Sequence, residues 1–252
     1  MKIVIPEIDN DVVKQAASTF SGITFVRAES LDIAAEKVAT GKADTMVAGI
    51  DQTTRDVVLT CKRYLPLKSR FFSSCFICKK GKTTFALADG GVNKDPNPEQ
   101  FYVIVRDTAE AYQKYTGETP KIAILSYSTK GSGGKLADAE KNEYVINRLR
   151  KEHPEYIIDG EMQLDAAMNR AVAKKKMPDS PIQGDANVLI VPDLNSGNIL
   201  YKALEQLAGF TVAGPIIQGF EMPLADFSRG STAEDVKLTI EVIKTLLSKN
   251  MV

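Results

Sequence analysis

Lys121-Ile122-Ala123-Ile124-Leu125-Ser126-Tyr127-Ser128-Thr129-Lys130-Gly131-Ser132-Gly133-Gly134 reads as an apolar run, then a loop of hydroxyls and glycines, then the opening of an amphipathic segment. A short apolar run bounded by turn residues signals a strand, and apolar residues recurring at helical spacing over 134–152 signal a helix. Another short apolar run follows at 156–158. Strand, loop, helix and strand in succession form the crossover of a parallel sheet, because parallel neighbours need a long connection. The pattern repeats outward in both directions. Strands are predicted at 2–5, 23–27, 45–50, 72–78, 83–88, 121–127, 156–158, 187–191 and 210–217. Helices are predicted at 12–19, 31–40, 53–65, 98–115, 134–152, 163–175, 197–207 and 232–248. Such alternation predicts an α/β fold with mainly parallel pairing. The runs 72–78 and 83–88, joined by the turn at 79–82, are expected to pair as a hairpin within it.

The composition excludes several classes. In 252 residues, 44% are hydrophobic and 25% charged, ordinary for a globular protein. Lys plus Arg equals Asp plus Glu at 32 each, so no nucleic-acid or anionic-membrane partner is expected. The opening MKIVIPEIDN lacks a signal-peptide pattern and no apolar stretch has bilayer length, so a cytoplasmic protein is expected. Cys75 and Cys78 match C-x-x-C, but on a strand residues three apart face opposite ways, so they are expected as buried thiols; Cys61 is the third cysteine. The single histidine, His153, precedes Pro154 in a polar stretch and suits a helix end better than a catalytic base.

Ligands of α/β folds collect beyond strand C-terminal ends, so the loops there carry the functional reading. Ser126, Ser128, Thr129, Gly131 and Ser132 form a hydroxyl- and glycine-rich loop able to cradle phosphate, although it lacks the Walker A pattern. After 187–191 come Asn195, Ser196, Asn198, Tyr201 and Lys202, an amide-dense helix opening. Asp159, Glu161 and Asp165 could hold a divalent cation, but acids favouring a helix start explain them better. Ser228-Arg229-Gly230 precedes the last predicted helix, where Ser231 and Glu234 fit a capping box. A hydroxyl, a fixed cation and the carboxylate of Asp235 beside a helix N-terminus suit acyl or phosphoryl transfer.

Seven segments together resemble the phosphate acetyltransferase (phosphotransacetylase) family, in the wider phosphate acetyl/butyryltransferase group. They are GKADTMVAGI at 41–50, LADGGVNKDP at 87–96, ILSYSTKGSGG at 124–134, IIDGEMQLDAA at 157–167, SPIQGDANVLIVPDLNSGNILYK at 180–202, GPIIQG at 214–219 and FSRGSTAED at 227–235, in the family's order. The resemblance implies two α/β domains with a cleft between them, related to isocitrate/isopropylmalate dehydrogenases. Here these are residues 1–74 with 217–252, and 75–216. It implies reversible acyl transfer between acyl phosphate and coenzyme A, no cofactor or metal, and a homodimer. Coenzyme A and inorganic phosphate are then substrates. By resemblance Asp235 takes the thiol proton, Ser228 steadies the oxyanion and Arg229 binds the departing phosphate. The 126–134 loop, Asn195 to Lys202 and Gln218 line the pocket.

The chain departs from the family in three places. Before GKADTMVAGI it is shorter than typical members, and an early basic residue has no counterpart. Leu59 stands where the family carries a phosphate-binding arginine, with Arg55 one turn earlier on the same face as the expected stand-in. Gly90 replaces the usual cysteine. These departures leave three further readings: an impaired member that only binds acyl phosphate or coenzyme A, a phosphate butyryltransferase, or a metal- and nicotinamide-dependent dehydrogenase of related fold using Asp159, Glu161 and Asp165. The Ser-Arg-Gly form of the motif favours the acetyl branch.

Overall fold

A single ten-stranded sheet organises the computed structural model, which describes residues 1–69, 71–134 and 137–250. In chain order the elements are β1 (Lys2–Val4), α1 (Asp11–Ala17), β2 (Thr24–Val26), α2 (Leu31–Ala39), β3 (Thr45–Ala48), α3 (Thr54–Tyr64), β4 (Ser73–Lys80) and β5 (Thr83–Ala88). There follow α4 (Pro98–Thr116), β6 (Lys121–Leu125), α5 (Ala139–Glu152), β7 (Ile157–Met162), α6 (Leu164–Met168), α7 (Arg170–Lys176), β8 (Val188–Ile190), α8 (Leu194–Gln206), β9 (Thr211–Gln218), β10 (Leu224–Asp226) and α9 (Ala233–Asn250). The strand order is β2-β1-β3-β10-β9-β4-β5-β8-β6-β7.

Pairing is parallel along β2-β1-β3-β10 and again along β5-β8-β6-β7. Between these flanks, β10, β9, β4 and β5 pair antiparallel. The expected hairpin is therefore present, with Gly81 turning at φ +58° between β4 and β5. The expected domain boundaries fall inside β4 and β9, so the sheet runs unbroken across them.

Alternation along β4 sends Cys75 and Ile77 into one core and Phe76 and Cys78 into another, on the opposite face. The two thiols of the C-x-x-C match therefore face apart, and Cys61, Cys75 and Cys78 are all free and buried. Burial pushes the Cys61 thiol up to about 12 and raises Cys75 and Cys78 further, so none is a ready nucleophile. The helix α9 lays Val236, Ile240 and Ile243 onto the same core as Cys75, against β9.

Several boundaries differ from the sequence reading, with α8 beginning at Leu194 rather than at 197 and α5 at Ala139 rather than at 134. The run at 156–158 extends to Met162 as β7, so Asp159 and Glu161 lie in a strand rather than at a helix start. The helix expected over 163–175 breaks at Asn169, whose Oδ1 accepts from Ala171 and Val172. Gly184 presses on that break, where a Cβ would stand 2.3 Å from the Arg170 nitrogen. The strand β10 follows Pro223 and was too short to show periodicity. The start of the helix expected over 134–152 falls partly on residues 135 and 136, outside the described residues. Among the described residues no helix is long and apolar enough to cross a membrane.

Candidate active site

The turn that follows β10 builds one wall of a cavity of about 590 Å³, through Phe227, Ser228, Arg229 and Gly230. Gln52 and Thr54 add to that wall from the start of α3, where Thr53 caps the helix by accepting from the Asp56 N–H. The facing wall is α8, which presents Asn198, Tyr201 and Lys202 at helical spacing. Gly90 and Gly91 complete it at the end of β5, and Phe76 and Pro215 form the floor.

Small residues let these pieces meet. A Cβ on Gly197 would lie 2.3 Å from the Asp89 carbonyl oxygen, and one on Gly90 would stand 3.0 Å from both the Gly197 backbone and the Phe76 ring. Gly90 sits against an aromatic floor, with Phe76 stacked on Tyr201 at 4.2 Å between centroids. Asn198 Nδ2 donates to the Gly90 carbonyl at 3.1 Å, tying α8 to that turn. Asp89 holds the same turn from beneath, accepting the N–H groups of Gly91, Val92 and Asn93.

Polar chemistry centres on Ser228. Lys202 Nζ donates to Ser228 Oγ at 3.1 Å and sits 4.5 Å from the Tyr201 centroid. Arg229 lines the cavity beside it. A hydroxyl, an ammonium and a guanidinium in one cavity form a receptor for an oxyanion such as phosphate.

The structure thus brings together Ser228, Arg229, Asn198, Tyr201 and Lys202, and places the other expected residues elsewhere. Asp235 is buried and does not line the cavity. Its Oδ2 accepts from the Thr232 N–H at 2.8 Å and the Thr232 hydroxyl at 2.6 Å, and its Oδ1 accepts from the Val212 N–H at 2.8 Å. The capping pair is therefore Thr232 with Asp235, one residue beyond the Ser231–Glu234 pair the pattern suggested. The 126–134 loop closes on itself. Ser128 Oγ and the Gly131 N–H both donate to Glu161, so a carboxylate of the chain fills the expected phosphate cradle. Thr129 N–H donates to Ser132 Oγ, and Ser126 Oγ accepts from the Ser128 N–H. None of these loop residues lines the cavity.

Asn195 and Ser196 belong to the first turn of α8, where Asp193 caps the Ser196 N–H at 2.8 Å, outside the lining. Gln218 is buried between Ser73 and Thr108, whose hydroxyls donate to its Oε1, and it borders a different cavity. Arg55 is exposed on α3 outside the lining, and so is Leu59. Lys130 and Ser180 occupy Asp159, and Lys176 occupies Asp165. Among the described residues no group of three or more His, Cys, Asp or Glu could hold a metal ion. His153 caps the C-terminus of α5 and stacks on Tyr156, far from any such role.

Sequence reasoning missed Gln52, Thr54, Phe76, Gly90, Gly91, Pro215 and Gly230 as cavity residues. Gly90-Gly91 directly after a strand was the available signal, but Gly90 was read as standing in place of a cysteine. Phe76 and Pro215 lie within strands, and position along a strand does not announce that its face lines a cavity.

The fold is α/β, and its cavity gathers a hydroxyl, an ammonium and a guanidinium between two halves of one sheet. Comparison with known proteins narrows this. The family model described as "Phosphate acetyl/butaryl transferase" matches residues 2–243. The chain belongs to this family. A phosphate acetyltransferase of Treponema pallidum is 39% identical over 236 residues, covering 88% of this chain and 68% of that protein. One from Bacillus subtilis is 39% identical over 198 residues, covering 78% of this chain and 61% of its own length. The chain thus spans roughly two thirds of these relatives. Among solved structures, a phosphotransacetylase from Streptococcus pyogenes superposes with a TM-score of 0.84 at 28% identity, covering 99% of this chain and 94% of that one. A 4-hydroxythreonine-4-phosphate dehydrogenase from Klebsiella pneumoniae, at 8% identity and a TM-score of 0.55, shares the fold alone.

Proposed function

We propose that the protein transfers an acetyl group reversibly between acetyl phosphate and coenzyme A. The observation that carries this reading is the meeting of Ser228, Arg229 and Lys202 in one cavity. Relatives named phosphate acetyltransferase support it. Arg229 receives the phosphoryl oxygens with its planar fork. Ser228, oriented by Lys202, donates to the carbonyl oxygen as it gains charge. The thiol of coenzyme A loses its proton, and the thiolate attacks the carbonyl carbon. The bond from that carbon to the phosphate oxygen breaks, and phosphate leaves on Arg229. Asp235 is the proposed proton acceptor. Its Oδ1 accepts from the Val212 N–H alone, which leaves a second acceptor site for the thiol proton.

The cavity draws residues from both expected units, 1–74 with 217–252 and 75–216, which supports a cleft between two domains. Coenzyme A enters as substrate, and the reading requires no metal or bound cofactor. The family resemblance supports a homodimer, and a cytoplasmic setting accords with the sequence.

Thioester formation from acetyl phosphate and coenzyme A, followed by ultraviolet absorbance without added metal, tests the reading. Turnover is expected, with Arg229→Ala lowering kcat/KM on the order of 10²–10³. Absence of turnover in the unaltered protein with both acetyl and butyryl phosphate would sink it.

A further inference from the structure

Asp226 closes β10 immediately before Phe227, Ser228 and Arg229, and its side chain is fully buried. Oδ2 accepts the hydroxyl of Thr54, a cavity residue, while Oδ1 has no partner. Oδ1 lies hard against Gly49, where a Cβ would stand 1.8 Å from it. Glu7 reaches the same glycine. Its Oε1 accepts the Gly49 N–H at 3.0 Å, and its Oε2 is also buried without a partner. Two carboxyl groups, each with an orphaned oxygen, thus converge on one glycine behind the cavity wall. Such a pair resists full ionisation, because burial and like charge both disfavour it. An orphaned oxygen costs less on a neutral acid than on an anion.

Alternation places Asp226 on the face of Leu224, toward α3, while Ala225 faces α9. The groups that act on it are Glu7, with Asp51 beyond, Cys61 of α3, and Arg229 of its own turn. No charged side chain comes from β3 or β9. Burial and the Glu7 charge raise the Asp226 carboxyl to about 7, against the pull of Thr54 and Arg229. Burial also raises Glu7.

We propose that Asp226 is a positioning residue for oxyanion binding: it accepts from Thr54 in either state, but neutral it leaves Arg229 to the oxyanion, and ionised it competes for Arg229. The inference deepens the acyl-transfer reading and rests on it only in taking Arg229 as the oxyanion group. Sulfate serves as probe because its charge is constant from about pH 6 to about pH 9, so calorimetric affinity reports the protein alone. Wild-type affinity is expected to fall above about pH 7, by up to roughly tenfold per pH unit. Asp226→Asn is expected to hold its affinity flat across the range. Glu7→Gln is expected to start the fall at lower pH, since it removes a charge that raises Asp226. No sulfate binding by wild type, a wild-type affinity flat across the range, or the same fall in Asp226→Asn would overturn the proposal. Should Asp226→Asn not fold, an unshifted midpoint in Glu7→Gln overturns it. With acetyl phosphate, KM is expected to follow the sulfate curve while kcat holds. The sulfate pattern without turnover would leave this inference standing and remove the acyl-transfer reading.

Discussion

Gly49 shows how one residue can carry both fold and site. Its φ of +110° suits glycine, and any side chain would collide with Asp226 Oδ1 and stand 2.9 Å from the Phe227 carbonyl. Gly49→Ala is therefore expected to destabilise the protein by about 2–4 kcal/mol, seen as a lower midpoint in chemical denaturation. A change within about 0.5 kcal/mol would mean the glycine contact is looser than described. Ser228 and Arg229 were legible at this scale because a hydroxyl and a cation before a helix have a chemical meaning wherever they occur. Asp226 was not. Nothing in the order of residues reveals that a carboxyl at a strand end meets another, 219 positions earlier, across a glycine (226 − 7).

Helix ends show the reach of local pattern at the next scale. The box at α4 is complete, with Asn97 accepting from Gln100 N–H and Gln100 returning to Asn97 N–H. At α9 the pattern suggested Ser231 with Glu234, and a tertiary contact moves the box one residue on. Asp235 can also reach the Val212 N–H of β9, which favours the Thr232 pair. Thr232→Ala is expected to cost about 1 kcal/mol in thermal stability, with Ser231→Ala clearly smaller. Equal losses would return the cap to Ser231. The 126–134 loop teaches the complementary lesson. Its hydroxyls and glycines do build an anion receptor, as their chemistry required, but the anion is Glu161 of β7. Local composition set the kind of ligand, and chain topology decided that it came from the protein itself.

Across the whole molecule, alternation of apolar runs and amphipathic helices was enough to define the layered α/β architecture, since each period encodes which face is buried. Strand order was out of reach, because β10 is short and the antiparallel centre joins segments far apart in the chain. Titration also acts at this scale. The folded chain holds the Asp226 proton to about 7, whereas an ordinary aspartate releases it near 3.8. Folding therefore takes up a proton between those values, and this contribution is complete below the lower value and lost as pH rises toward the upper one. The stability difference between wild type and Asp226→Asn is expected to change by about 1.4 kcal/mol per pH unit in that window, favouring the variant as pH rises. Urea unfolding at both ends of the window measures it, and parallel curves would mean that Asp226 ionises normally.

The ladder of β4 with β9 slips register between Cys75 and Ile77. That slip lies beneath the floor made by Phe76 and Pro215, in the strip of strands that both flanks share. Strand direction reverses across this strip, so the two parallel flanks meet along an antiparallel seam, and one apolar core runs beneath both, from Ile3 and Val13 to Ile122 and Val145. The walls of the cavity are joined through this seam. The spacing of the walls is therefore set by the seam, where the register slip locally alters strand twist. The gape of the cleft is in this sense a property of its floor.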